Sequence, residues 1–139
     1  MFRILVMIDE PEDRATAVET LTGCGYRVST AACSIDAALD VDEHYTDLVL
    51  LDADLPGDRT NELLRTLREN PTSAAVPVVV AGSRDSTPEL LMACAFGAAD
   101  FLLKPLNPEI FRSRIARVIQ VALADLKTWV GRAMVGVAA

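Results

Sequence analysis

Five short strand-like segments alternate with five segments of helical character along the 139 residues of this chain. The strand-like segments lie at 3–8, 26–31, 47–52, 76–82 and 100–104. Most of them are apolar runs bounded by turn residues, which is typical of strands that are covered on both faces. Alternation of strand and helix favours right-handed crossovers, and these place the strands parallel. The sequence therefore predicts an α/β fold with a doubly wound, five-stranded parallel sheet and helices on both faces.

Turn and capping residues set the limits of the predicted helices. The spacing predicts helices over 12–22, 35–44, 60–70 and 88–97, and a last helix that begins at Pro108. Ser34 and Asn107 are suitable N-caps, because their side chains can accept hydrogen bonds from amides of the first turn. In the third helix Leu63, Leu64 and Leu67 share one face, which predicts that this face is turned inward.

Charged residues follow the strand-like segments at the points where these segments end. Asp9 and Glu10 follow the first segment, Asp52 and Asp54 lie at the end of the third, and Lys104 ends the fifth. In an open parallel sheet, ligands bind outside the carboxyl ends of the strands. If the sheet order is 2-1-3-4-5, the first and third strands are neighbours and their acidic residues converge. Converging carboxylates repel one another, and a hard divalent cation such as Mg²⁺ relieves that repulsion.

The acidic balance of the chain excludes several classes of function. The net charge of −7 argues against binding of nucleic acid or of an anionic membrane surface by this segment, because both need clustered Lys and Arg. No apolar run approaches the roughly 18 residues of a membrane span, and the apolar stretch near the N-terminus is too short for a signal peptide. Three cysteines without CxxC spacing are typical of reduced thiols, so we expect a cytoplasmic protein.

Three stretches together resemble the receiver domain of two-component response regulators. ILVMIDE (4–10) is similar to the family's first strand with its acid pair, and LVLLDADLPG (48–57) to the strand that bears the phosphorylated Asp. GAADFLLKPLNPEIF (97–111) is similar to the segment with the Lys-Pro pair. The resemblance covers about residues 2–123. It implies the sheet order 2-1-3-4-5 and a signalling phosphoacceptor domain rather than an enzyme.

Roles for individual residues follow from that resemblance. Asp52 would be the phosphoacceptor, and Lys104 would contact the phosphoryl group. Asp9 and Glu10 would hold Mg²⁺ together with Asp52 and the backbone carbonyl of Asp54. The donor would be a phosphohistidine of a sensor histidine kinase or of a phosphotransfer protein. These roles are chemically consistent, because phosphoryl transfer needs positioning and charge neutralisation more than reactive groups.

The sequence also departs from the family pattern at positions that concern the conformational response. Gly82 stands at the end of the fourth strand, where relatives carry Thr or Ser as a switch residue. Ser83 follows and is the alternative source of a hydroxyl, although strand alternation points it elsewhere. Phe101 stands at the aromatic switch position in place of the common Tyr, and Arg59-Thr60 replaces the usual Asp-Gly.

These departures leave more than one function open. The first is a receiver whose phosphorylation on Asp52 switches protein–protein interactions. The second is a degenerate receiver that acts as a phosphorylation-independent interaction or dimerisation module. The Asp-x-Asp of residues 52–54 also resembles the motif of haloacid-dehalogenase-type phosphatases. That family carries the motif on its first strand, and this chain carries it on the third, which disfavours a phosphatase.

The last helix carries an apolar stripe at helical spacing. The stripe consists of Phe111, Ile115, Val118, Ala122, Leu126 and Trp129. It predicts one helix from Pro108 to about Trp129, roughly 33 Å long at ~1.5 Å per residue. We expect a receiver domain over 1–125, with 126–139 as a helical extension, a linker to an output domain or a disordered tail. A homodimer would use the face of helix four, strand five and helix five, or the extended last helix.

Overall fold

A computed structural model describes the backbone of residues 1–138 and the side chains of residues 1–125. Its strands are β1 (Arg3–Met7), β2 (Arg27–Thr30), β3 (Leu48–Asp52), β4 (Val78–Gly82) and β5 (Asp100–Leu103). Its α-helices are α1 (Pro11–Gly23), α2 (Ile35–Leu39), α3 (Arg59–Glu69), α4 (Thr87–Ala95) and α5 (Pro108–Ala138). A single 3₁₀ turn over Arg84–Ser86 leads from β4 into α4.

All five strands are parallel and lie in the order β2-β1-β3-β4-β5, which confirms the predicted sheet. The register pairs Met7 with Leu51, Asp52 with Ala81, and Gly82 with Leu103. The carboxyl ends of β1, β3, β4 and β5 therefore lie side by side at one edge. The residues that follow these strands are brought together there, although they are far apart in the chain.

Two apolar layers hold the helices against the two faces of the sheet. On one face, Leu21 of α1 and Phe111 and Ile115 of α5 are buried against β1, β3 and β4. On the other face lie the inward leucines of α3, as predicted, with Leu90 and Ala93 of α4. Each fully buried Leu or Phe contributes about 1.5–3 kcal/mol relative to an exposed one. The strand ends that carry the charged residues are therefore fixed by cores on both sides.

Capping explains where most of the helices begin. Ser34 Oγ accepts a hydrogen bond from the Ala37 amide at 3.2 Å, and Asn107 Oδ1 accepts one from the Glu109 amide at 3.0 Å. Both predicted caps are confirmed. The side chain of Ser86, at the N-cap position of α4, makes no capping hydrogen bond. Its hydroxyl is directed instead to a carboxylate at the carboxyl edge of the sheet.

The second helix is shorter than the predicted 35–44 and ends at Leu39. Beyond it, the Asp42 carboxylate accepts a hydrogen bond from the His44 amide at 2.8 Å, and the Asp42 carbonyl accepts one from the Tyr45 amide. A short acidic side chain competes with the helical hydrogen bonds in this way and favours a turn. The acidic run after Leu39 is therefore a turn that leads into β3.

The last helix is longer than predicted and runs from Pro108 to Ala138. At ~1.5 Å per residue, this corresponds to about 46 Å. Phe111, Ile115 and Val118 of the predicted stripe are buried, whereas the side chains of Leu126 and Trp129 lie outside the described residues. None of the helices in the described part of the chain is both long and apolar enough to cross a bilayer.

Candidate functional site

The ammonium of Lys104 lies at the centre of a cluster of carboxylates at the carboxyl edge of the sheet. Its Nζ is 3.1 Å from Asp52 Oδ1, 3.1 Å from Asp54 Oδ2 and 3.2 Å from Asp13 Oδ2. The Lys104 side chain is only 8% exposed and the Asp52 side chain only 3%. The structure therefore brings together residues from β3, α1 and the segment after β5, and it withdraws the central ion pair from solvent.

Backbone groups hold Asp52 in one orientation. Its Oδ1 accepts a hydrogen bond from the Asp54 amide at 2.8 Å, and its Oδ2 accepts one from the Asp9 amide at 3.1 Å. Thr60, in the first turn of α3, is buried, and its hydroxyl donates to the Asp52 carbonyl at 2.9 Å. The backbone of Lys104 is held by the end of β4, because the Lys104 amide donates a hydrogen bond to the Gly82 carbonyl at 2.8 Å. The Lys104–Pro105 peptide bond is cis.

Opposing effects act on the charge of Lys104. Burial alone would lower the pKa of its ammonium, but the hydrogen bonds and charges of Asp52 and Asp54 outweigh burial and raise that pKa above its ordinary value. Lys104 therefore remains protonated throughout the physiological pH range. It supplies a permanent positive charge beside the Asp52 carboxylate.

The two acidic residues that follow β1, Asp9 and Glu10, have different surroundings in the structure. Asp9 is exposed and lines a cavity of about 240 Å³ with Cys33, Leu55, Pro56 and Arg59. Among the described residues, its carboxylate forms no hydrogen bond or ion pair, so both oxygens can accept a ligand.

The carboxylate of Glu10, by contrast, caps α1. It accepts hydrogen bonds from the Glu12 amide at 3.1 Å and the Asp13 amide at 2.8 Å, and these bonds hold the pKa of Glu10 below its ordinary value. The geometry thus accounts for Glu10 as a helix cap and does not bring it into the Lys104 cluster.

Comparison with known proteins identifies the family and the fold of this chain. A family model described as response regulator receiver domain matches residues 4–116. The chain belongs to this family. Within two-component signalling a receiver domain is a signalling phosphoacceptor rather than a catalytic enzyme, which confirms the class predicted from the sequence.

Relatives and solved structures agree with that assignment. The transcriptional regulatory protein AfsQ1 of Streptomyces coelicolor is 30% identical over 117 residues, which are 84% of this chain and 51% of the relative. The structure of NtrX from Brucella abortus is similar with a TM-score of 0.86 and 25% identity, over 98% of this chain and 30% of that one. The receiver domain of the sensor histidine kinase PA1611 from Pseudomonas aeruginosa is similar in fold, with a TM-score of 0.72, 22% identity, and coverage of 86% and 98%. The receiver chain thus spans about half the length of the first of these relatives.

The side chain of Asp54 makes more contacts at this site than the sequence predicted. We expected only its backbone carbonyl to take part, yet its carboxylate accepts hydrogen bonds from the Ser83 amide, the Ser83 hydroxyl and the Ser86 hydroxyl. Burial would raise the pKa of this carboxyl, but the bonds from Ser86, Ser83 and Lys104 outweigh it and lower the pKa. Ser83 therefore contributes a hydroxyl at this edge, and it directs that hydroxyl to Asp54.

The remaining predicted switch residues are only partly connected to this cluster. Gly82 is buried at the end of β4, and Phe101 of β5 is half-buried against the core on the α3–α4 face. Their switch roles stay predictions.

Cys33 lies close enough to the acidic residues to be affected by them. Burial, with the negative charges of Asp52 and Asp9, raises the pKa of its thiol to about 11. The thiol is therefore protonated and weakly nucleophilic at neutral pH.

Asp13 and Thr60 are the site residues that the sequence reasoning missed. Asp13 lies in the first turn of α1, four residues after Asp9, and the spacing that predicts this helix does not indicate which of its polar side chains face the sheet edge. Thr60 precedes Leu63, Leu64 and Leu67 at helical spacing, so the apolar stripe of α3 could have placed it on the inward face.

Proposed function

We propose that this receiver accepts a phosphoryl group on Asp52 from a phosphohistidine of a sensor histidine kinase or phosphotransfer protein. The observation that supports this most directly is the buried ion pair between Asp52 and Lys104, at 3.1 Å. A buried carboxylate is a usable nucleophile only if the charge that develops on the incoming phosphoryl oxygens is neutralised. Lys104 supplies one fixed positive charge for that purpose, and its raised pKa keeps it protonated.

Mg²⁺ would supply the second positive charge that phosphoryl transfer requires. The receiver domain of PA1611 has been solved with a magnesium ion coordinated in its active site cleft. In this chain, the oxygens suited to Mg²⁺ are the unpaired Asp9 carboxylate, Asp52 Oδ2 and the backbone carbonyl of Asp54. Glu10 fits less well than predicted, because both of its oxygens cap α1.

This donor set contains few side chains. No cluster of three or more His, Cys, Asp or Glu side chains arranged to hold a metal occurs in the described residues. A site built from two carboxylates, one carbonyl and water does not require such a cluster, since Mg²⁺ usually keeps several waters.

The test is phosphorylation in vitro, with the acceptor residue identified by mass spectrometry. The wild-type protein, incubated with acetyl phosphate and Mg²⁺, is expected to gain one phosphoryl group, labile to alkali and hydroxylamine, on the peptide that contains Asp52. The variant Asp52→Asn and a sample with excess chelator are expected to gain none. If the wild type remains unmodified by acetyl phosphate and binds no beryllofluoride, the phosphoacceptor function is wrong.

The degenerate receiver remains the second candidate, and Gly82 is the observation that favours it, since a glycine offers no hydroxyl to a phosphoryl group. A module of that kind would bind its partner equally well as wild type and as Asp52→Asn. The phosphorylation experiment therefore separates the two candidates.

We infer that the surface formed by α4, β5 and α5 contacts the signalling partner or a second copy of the chain. Its exposed apolar side chains are Leu91 and Met92 of α4, Phe96, Leu103 of β5 and Ile110 of α5. Contiguous exposed apolar side chains commonly mark interaction sites. A homodimer through the extended α5 is the alternative. A cytoplasmic location of this receiver would give the kinase access to it.

Sedimentation equilibrium with and without beryllofluoride tests the homodimer on this surface. The liganded protein is expected to approach twice its mass of 15.0 kDa, and Ile110→Glu is expected to keep it monomeric. Tyr45→Glu, which alters an exposed side chain in the loop before β3, is the matched control and should leave the dimer intact. If the dimer persists in Ile110→Glu, the α4–β5–α5 surface is not the dimer interface, and the extended α5 becomes the candidate interface.

A further inference from the structure

We propose that the Asp54 carboxylate is a positioning residue that holds both Lys104 and the β4–α4 turn in the unphosphorylated arrangement. It competes with the phosphoryl group for Lys104, and its displacement passes the signal to α4. This inference rests on the proposed phosphorylation of Asp52. It assigns to the Asp54 side chain a role separate from that of its backbone carbonyl.

The first step is the saturation of Lys104. Lys104 Nζ is already within 3.2 Å of three carboxylates, since it donates a hydrogen bond to Asp52 and forms ion pairs with Asp13 and Asp54. A phosphoryl oxygen can therefore pair with Lys104 only if one of these contacts is given up. The Asp54 and Asp13 side chains are 27% and 30% exposed, so either can regain hydration when it is displaced, whereas Asp52 is buried.

The second step is the connection of Asp54 to the β4–α4 turn. Asp54 Oδ1 is 2.9 Å from the Ser83 amide nitrogen and 3.1 Å from the Ser83 hydroxyl, and it also accepts the hydrogen bond of the Ser86 hydroxyl. Ser83 immediately precedes the 3₁₀ turn that leads directly into α4, and Ser86 is the last residue of that turn. Asp13 has no such connection, because among the described residues its carboxylate pairs only with Lys104 and its amide donates to Glu10. Displacement of Asp54 is therefore the displacement that would be transmitted to α4.

The third step is the space beside Gly82. A Cβ at this position would lie 2.9 Å from Ala53 Cβ, 3.2 Å from Asp54 Oδ1 and 3.4 Å from Leu90 Cδ2. The Asp54 carboxylate thus lies in close contact with the position at which a side chain of residue 82 would begin. A hydroxyl that links β4 to the site is absent at residue 82, and the carboxylate of Asp54 makes the corresponding link from the β3 side.

The test compares Asp54→Asn with Asp13→Asn. The second variant also removes one carboxylate charge beside Lys104, but it leaves the β4–α4 turn unchanged. Affinity for beryllofluoride is measured at saturating Mg²⁺, so that any effect of either charge on metal binding is removed. Loss of one competing carboxylate is expected to tighten beryllofluoride binding in both variants, on the order of fivefold.

The readout that separates the two positions is the amide NMR spectrum of residues 83–96. It uses Asp54→Ala and Asp13→Ala, because Asn at residue 54 would keep an oxygen that accepts the hydrogen bonds of Ser83 and Ser86. In the unliganded protein, Asp54→Ala is expected to shift the Ser83 and Ser86 amides and the first turn of α4 toward their beryllofluoride-bound positions. Asp13→Ala is expected to leave them at the wild-type positions, and thermal unfolding by circular dichroism verifies that all variants are folded.

The outcomes are distinguishable from those of the phosphorylation experiment. If the wild type binds no beryllofluoride, the proposed function is wrong. If the wild type binds it, but Asp54→Asn binds no more tightly and the α4 amides of Asp54→Ala stay at the unliganded positions, the role of Asp54 is wrong while the proposed function stands. The role of Asp54 is equally wrong if Asp13→Ala shifts the turn as much as Asp54→Ala does.

Discussion

Replacing Lys104 by Met is expected to reduce beryllofluoride affinity by at least about thirtyfold, because removal of one partner of a buried charge pair costs about 2–5 kcal/mol. Met retains most of the length of the side chain and its packing but carries no charge. The Asp52 carboxylate, 3% exposed, then loses its ammonium partner, and Mg²⁺ would have to neutralise an attached phosphoryl group without the charge of Lys104. Isothermal titration of beryllofluoride in saturating Mg²⁺ measures the loss.

The same variant is expected to become more dependent on Mg²⁺ for its stability. In metal-free buffer the carboxylates of Asp13, Asp52 and Asp54 lose their shared counter-ion, and the free energy of unfolding should fall by about 2–3 kcal/mol. Mg²⁺ should restore much of that loss, because a ligand that binds only the folded state stabilises it. Urea titrations with and without Mg²⁺ give both values.

Arg65→Met is the matched control for this experiment. Arg65 is exposed on α3, so its replacement changes the net charge equally without touching the carboxylate cluster. Its stability is expected to change by less than about 0.5 kcal/mol and to respond to Mg²⁺ as the wild type does. Equal behaviour of Lys104→Met and Arg65→Met would contradict the central role assigned to the Lys104 ammonium.

The sheet and its charged edge could be predicted because they depend on patterns that are local in the chain. A buried parallel strand requires an almost continuous apolar run, and β3 and β4 supply such runs. Once the order β2-β1-β3-β4-β5 is given, Asp52 and Lys104 lie at the same edge of the sheet with only β4 between their strands. The long side chain of Lys104 spans the end of β4, which gives the 3.1 Å contact with Asp52.

The competition among polar side chains could not be predicted in the same way. Asp9 and Glu10 are both acidic residues in the sequence, yet the free amides at the start of α1 bind the Glu10 carboxylate, whereas the Asp9 carboxylate has no partner among the described residues. For the Asp54 carboxylate, water and the Ser83 amide are likewise competing hydrogen-bond donors, and the folded chain provides the amide. Such choices depend on distances between segments that only the folded chain defines.

Replacing Gly82 by Thr is expected to lower the free energy of unfolding by about 2–3 kcal/mol, although relatives carry Thr or Ser at this position. The new Cβ would lie 2.9 Å from Ala53 Cβ, which is closer than real Cβ atoms approach one another, and the branched side chain would press against Leu90. It would also displace the Asp54 carboxylate from Ser83, so the variant loses hydrogen bonds as well as packing. Urea denaturation followed by circular dichroism measures the change.

Gly23→Thr is the matched control, because it makes the same chemical change at the end of α1 where a Cβ would meet nothing within 4 Å. Its effect is expected to stay within about 0.5 kcal/mol. The double variant Gly82→Thr/Ala53→Gly removes the closest contact and should recover part of the stability lost in the single variant. If Gly82→Thr is instead as stable as the wild type, the space beside β4 is open. Asp54 would then not be the reason that this receiver has a glycine where a hydroxyl is usual.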